Sequence, residues 1–481
     1  MKLYSEDKPI PISLPKPVVA TEDDLSINKE CSALNEHIIA YRSLSTVQEQ
    51  VSLESYSFID KHNYVLYNEY IKSITSNLGI THLPILSQET IQELPTVALN
   101  HHISLEGFIA TIWEKIKKIF KGIYEKIKGF FTRFFTRLGR LKGKLKNLDE
   151  ALSGTDKDIQ KVNLDKVPSA LATKYPLAEN LTGTDIIEVF NNVNTLQEQT
   201  KTITSKAKEF ASKDILDKNF IEEIKKLKDT AKASKVQIDG NNQNKKAGSV
   251  FKEAKFGEDG KANKELDKDN KSLAQVAKDS EEEASSKTDK IDEVVGKNAD
   301  SLSDNQDAQF QAAQKELVDF SKTVSDTLNK VKGKNLTDGV VYTSVTVDEN
   351  GALKIESEKK EITPSSISLT ERAVLSKLIK DTIKVVDNAE KDLNVYGSVN
   401  DAVMKNTEIV DKLIADLDKM GEDPSFSKYK KVLTNKVKVR LGLLKTFFSE
   451  YNKVGNTMFS MVLDAADGNV AYATLCLKFF G

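Results

Sequence analysis

The chain has 481 residues and a mass of 53.5 kDa, with 70 Lys+Arg against 72 Asp+Glu for a formal net charge of −2. Charged residues make up 30% and the apolar set 39%, so cores are thin and the length has room for about two to four domains. Two distant cysteines, Cys31 and Cys476, exclude a Cys-x-x-Cys site and a disulfide framework, and the lack of any apolar run of about 18 residues excludes an ordinary transmembrane helix.

Residues 1–26 carry Pro9, Pro11, Pro15 and Pro17 and read as a disordered arm, without the apolar stretch that a secretory signal needs. Helices are expected over 30–50 and over 56–78, the second ending at Gly79, with a short helix at 87–93 between prolines. The segment 107–148 predicts one long basic helix. A loop containing Gly154 and Pro168 follows, then a helix over 185–212 with Thr184 or Asp185 near its cap. Residues 229–306 are poor in large apolar side chains and rich in Lys, Asp, Asn and Ser, which reads as disorder or as a solvated helix. Apolar periodicity resumes over 308–332 with Phe310, Leu317, Phe320, Val324 and Leu328. Next, VVYTSVTV (340–347) and ALKIES (352–357) flank Asn350-Gly351, the pattern of a β-hairpin. Helices are predicted from Ser368 to about Gly397, over 399–420 and over about 427–456. The apolar C-terminus reads as a helix pair or as one helix broken at Gly468.

The fold class is therefore mainly α: elongated helices and a helix bundle, one small β-hairpin at about 340–357, and disordered segments. Composition divides the chain into an acidic leader or propeptide with short helices (1–106), the basic amphipathic helix (107–148) and a helical segment (149–228). A charged low-complexity segment (229–306) and a helical domain with the hairpin and apolar C-terminal helices (307–481) complete it.

No Walker loop, dinucleotide fingerprint or nucleophile elbow occurs. DENGALKIE resembles a calcium loop only faintly, because aligning Gly351 puts Ser357 where the bidentate glutamate belongs. All five histidines (His37, His62, His82, His101, His102) lie before residue 107, so His-based catalysis or ligation has no material beyond it. The expectation is a non-enzymatic protein without catalytic residues, cofactor or metal.

The informative segment is GFIATIWEKIKKIFKGIYEKIKGFFTRFFTRLGRLKGKLKNL, residues 107–148. On a helical wheel its large apolar residues from Ile109 to Leu148 fall within about 80° of Ile109. Twelve Lys or Arg against Glu114 and Glu125 make it strongly basic. An aromatic apolar face opposite a cationic face suits a membrane interface or an acidic polymer, and also an ordinary bundle helix. The residues expected to contact membrane or DNA are Trp113, Lys117, Lys118, Phe120, Lys121, Lys128, Phe130, Phe131, Arg133, Phe134, Phe135, Arg137 and Arg140. The charge balance breaks at the same place: residues 1–106 hold seven basic and fourteen acidic side chains.

Immediately upstream stands Ser104-Leu105-Glu106, followed by Gly107, and an earlier Ser52-Leu53-Glu54 is followed by Ser55. An acidic leader, a short motif ending in Glu, a basic amphipathic helix and a Lys/Asp/Glu/Ser-rich helical body resemble the internal head proteins of large tailed bacteriophages. The resemblance implies synthesis in the bacterial host cytoplasm and storage inside the capsid. It also implies cleavage by a prohead protease after Glu106, with Glu54 a secondary candidate. Capsid or inner-head proteins would be partners, with packaged DNA and the host membrane as further ones. The three-residue pattern alone is common, recurring for example at Ser87-Gln88-Glu89 and Ala207-Lys208-Glu209, so Ser104 is alternatively a helix cap. Rival readings are a cellular membrane-surface scaffold or toxin-like protein, and a purely structural coiled coil. The interrupted periodicity beyond residue 200 disfavours the second.

Overall fold

A computed structural model describes residues 22–54, 69, 71–76, 78, 106–154, 162–212, 308–420 and 424–480. It is mainly α. Helix α1 runs Glu22–Glu54, α2 Glu106–Ser153, α3 Ser169–Lys174 and α4 Gly183–Ser212. Residues 308–329 form α5. Two long helices, α6 (Arg372–Met420) and α7 (Pro424–Phe480), end the described chain. Residues 71–76 are helical, on the expected second helix. The expected helix at 87–93 and the charged segment 229–306 lie outside the described residues.

Two compact units are present. The first comprises Met1–Lys213, Ala313–Lys405 and Gly442–Gly481; the second comprises Asp214–Ala312 and Asn406–Leu441. In the second, Lys430 reaches the Asp418 carboxylate at 3.6 Å and donates to its carbonyl at 3.0 Å, tying the end of α6 to the start of α7.

The first unit is organised on α7. From Gly442 to Cys476 almost every residue of α7 is buried, whichever way it points. A helix apolar on all sides belongs at the centre of a bundle. Phe447 stacks on Phe210 of α4 at 4.3 Å and meets Phe320 of α5 at 5.0 Å. Tyr451 packs on Tyr396 of α6 at 4.5 Å, and Phe459 meets Phe134 of α2 at 5.3 Å. Two buried asparagines on this helix find hydrogen-bond partners on its neighbours, as burial favours. Asn452 donates to Asn400 and accepts from the Tyr396 hydroxyl, while Asn469 donates to Thr382 and accepts from Tyr175.

The hairpin forms where the sequence places it. Strands β3 (Val340–Val347) and β4 (Leu353–Lys359) pair antiparallel, with a register shift at Tyr342/Ser344. Gly351 has φ +82, which favours glycine, and the Asp348 side chain accepts from the amides of Asn350 and Ala352.

Four expectations need correction. Residues 22–26 are helical and belong to α1 rather than to a disordered arm; the last helix-blocking proline, Pro17, lies before them. The hairpin is joined by a three-stranded sheet, β1 (Asn163–Leu164), β5 (Ser366–Ser368) and β2 (Asn180–Thr182), in the order β1-β5-β2. These strands of two or three residues are too short to show a period, so the intervening sequence reads as a loop. The cap of α4 is Thr182: its hydroxyl accepts from the Asp185 amide while the Asp185 carboxylate accepts from the Thr182 amide. Finally, α6 continues through Gly397 and α7 through Gly468. Glycine does not break these helices because it serves packing instead. A Cβ at Gly455 would overlap the Tyr396 ring, and one at Gly468 would overlap Tyr175.

Candidate functional site

Helix α2 extends one residue before the expected 107 and five beyond 148. Its apolar residues recur every three or four positions, and tertiary packing takes up that face. Ile112, Trp113, Ile116, Phe120, Ile123, Ile127, Phe130, Phe134, Leu138, Leu141 and Leu145 are all buried. Trp113 meets Tyr41 of α1 at 4.9 Å, Phe120 meets Phe448 at 4.7 Å, and Phe131 meets Tyr396 at 5.4 Å. Of the five Phe on the expected contact face, Phe135 alone is exposed, at 36%, and Phe131 is half-buried.

The cationic residues divide into two sets. Those flanking the apolar face are paired: Lys126 with Glu30 at 2.5 Å, Arg137 with Asp467 at 2.8 Å and Asp464 at 3.6 Å, and Lys142 with Asp387 at 2.7 Å and with Glu390. Its hydrogen bonds to Asp387 and Glu390 push the Lys142 ammonium up from its ordinary range. Beyond them Lys115, Lys118, Lys121, Lys128, Arg133, Arg140, Lys144 and Lys146 are exposed. Lys117 reaches Glu114 at 2.8 Å, and Lys128 lies over the Tyr124 ring at 4.4 Å. Gly122, Gly139 and Gly143 lie on α2 with open space around them.

Arg137 also belongs to a buried charge cluster that no sequence pattern announces, because its members lie up to about three hundred residues apart. Lys174 bridges Asp464 at 2.8 Å and Asp338 at 3.2 Å. Burial pushes the Asp464 carboxyl up to about 6, against the pull of Lys174. Lys445 is a second unforeseen residue. It is fully buried, with Nζ 4.5 Å from the Trp113 ring and 5.2 Å from that of Phe120.

The cleavage candidates map onto helix ends. Glu106 and Gly107 open α2, so their bond lies in its first turn, where amides lack intrahelical partners. Ser52, Leu53 and Glu54 close α1. Ser104, Leu105 and Ser55 lie outside the described residues. Both thiols are buried, and burial pushes Cys31 up to about 12 and Cys476 up to about 11. Among the described residues no His/Cys/Asp/Glu group is disposed to hold a metal ion, and no helix is long and apolar enough to cross a membrane.

No curated protein and no solved structure matches the chain. Residues 20–218 match the family of phiKZ-like phage internal head proteins. The matched span contains α1, α2, α3 and α4, the basic helix among them. Over those residues the chain is similar to the internal head proteins of phiKZ-like phages, and the similarity supports a place in the virion interior.

Proposed function

We propose that this protein is a non-enzymatic component of the capsid interior that contacts packaged DNA through the outer face of α2, and that a prohead protease cuts it behind Glu106. The observation that carries the reading is the row of eight exposed Lys and Arg between Lys115 and Lys146 on a helix whose apolar face is buried. The row spans about 45 Å at 1.5 Å per residue. Exposed cations on a rigid rod neutralise phosphates without reading sequence, and the gain comes from released counterions. The buried, protonated thiols make poor nucleophiles, which agrees with a non-catalytic role. Capsid and inner-head proteins are the other partners of this reading.

Fluorescence anisotropy of the full chain with duplex DNA of random sequence tests it. Binding should weaken steeply as salt rises from 50 to about 200 mM. Replacing Lys118, Lys121 and Arg140 by Gln should flatten the log–log slope by about 2 to 3. No binding at low salt, or an unchanged slope in the triple variant, would refute the DNA contact.

A further inference from the structure

The apolar face of α2 is shut on one side by α1, and the two helices have opposite charge. Helix α1 carries seven Asp or Glu against Lys29 and Arg42, whereas 107–148 carries twelve Lys or Arg against two Glu. Ile27, Cys31, Leu34, Ile38, Tyr41 and Leu44 form one stripe down α1, each no more than 1% exposed. The stripe closes over Trp113 through Tyr41 and lies against α7 at Gly442, where Ile38 is 3.2 Å from a Cβ placed there. Polar contacts hold its edges. Glu30 pairs with Lys126, Asn35 donates to Glu450, and the Cys31 carbonyl accepts from Ser449. Under the cover lies Lys445, its ammonium against Trp113 and Phe120.

We infer that α1 is a detachable cover, and that the groove beneath it, floored by Trp113, Phe120 and Lys445 and edged by Lys126, is a docking surface for an anionic lipid bilayer. The occupant follows from the chemistry of the cover. The edge pairs Lys126 with Glu30 of the cover and the floor sets the Lys445 ammonium against aromatic rings, so apolar matter that carries negative charge suits the groove, although the Glu450 carboxylate also meets the cover there through Asn35. Trp and Phe set among Lys is the composition of helices that lie in a lipid interface. About fifty residues separate α1 from α2, so the cover can leave without unwinding the helix that it covers. The inference rests on α2 being the contact helix of this protein. A cut behind Glu106 would also sever the cover from the groove.

Trp113 is the chain's single tryptophan, so its fluorescence reports directly on the groove. The test compares the full-length native chain with Leu34→Asp/Ile38→Asp, which unseats α1 without altering the groove. Acrylamide quenching of Trp113 is measured beside co-sedimentation with phosphatidylcholine vesicles, with or without phosphatidylglycerol. In the native chain Trp113 should be shielded and little protein should sediment. In the variant quenching should rise several-fold, and the fraction bound to phosphatidylglycerol vesicles at least fivefold.

The proposal is overturned if the native chain binds these vesicles as well as the variant does. It also fails if Trp113 opens without a gain in binding, if neutral vesicles serve equally, or if the opened chain merely dimerises. Should the double variant lose its helical circular dichroism, Glu30→Lys decides, since it removes no buried apolar side chain and sets like charges at Lys126. It must bind phosphatidylglycerol vesicles better than Glu36→Lys, which makes the same charge change at an exposed position. Equal binding by the two overturns the proposal. DNA anisotropy on the same samples separates the two ideas: retained DNA binding without vesicle binding refutes the lipid groove alone.

Discussion

At the scale of single residues, glycine has two opposite uses in this protein. Gly455 sits in the centre of the bundle, and the Tyr396 ring fills the space where a Cβ would go. Gly455→Ala forces that ring aside and should destabilise by about 1–3 kcal/mol. Gly122 sits on α2 with nothing within 4 Å of its Cβ position. Gly122→Ala should stabilise by about 0.5–1 kcal/mol, because alanine loses less backbone entropy in a helix. Urea midpoints of the two variants should move in opposite directions, and a shared direction would contradict the packing described.

Asp464 makes a second residue-scale prediction. It faces Lys174, Asp338 and Arg137, and burial raises it from 3.8 to about 6. The folded carboxyl therefore holds its proton to higher pH than the unfolded one. Its contribution to stability is full below about pH 4 and is lost as pH rises through about 6. The stability of the native chain relative to Asp464→Asn should fall by on the order of 3 kcal/mol between pH 4 and pH 7. Urea unfolding at stepped pH checks this, and parallel profiles for the two proteins would refute it.

At the scale of elements, the phase of α2 decides which of its aromatic residues matter to the fold. Phe134 is 1% exposed and meets Phe459 and Phe130, whereas its neighbour Phe135 is 36% exposed. Phe134→Ala should cost about 3–5 kcal/mol and Phe135→Ala less than about 1 kcal/mol. Circular dichroism through a urea titration distinguishes them, and equal losses would mean that the helix is rotated from the orientation described. The wheel drawn from the sequence puts both residues inside the apolar arc. The neighbours supplied by α6 and α7 narrow the face that is actually buried.

At the scale of the whole molecule, maturation would change what the bundle exposes. Intact-mass measurement of the protein from phage particles should find a main species that begins at Gly107 and lacks all five histidines. A main species intact across residues 80–120 would refute cleavage there. The Glu106–Gly107 bond lies in the first turn of α2, so a protease that needs extended backbone must open that turn or act before the helix forms.

Whatever is periodic or locally encoded can be read from the chain without its fold. The mainly helical class, the extent of α2 to within a few residues, and the hairpin at Asn350-Gly351 all follow from spacing or turn chemistry between near neighbours. The likeness to phage internal head proteins was also legible, from an order of composition and charge along the chain. Tertiary structure decided the rest. Which residues of the apolar arc are buried depends on Tyr41, Phe448 and Phe459, far away in sequence. On α7 distant tyrosines, Tyr396 and Tyr175, occupy the notches left by Gly455 and Gly468, so glycine there serves packing and not a break. The cluster around Asp464 and the ammonium of Lys445 exist because burial brings together charges that no local pattern connects. Periodicity tells a helix which face will be covered, but only packing chooses the cover, and here α1, α6 and α7 share it.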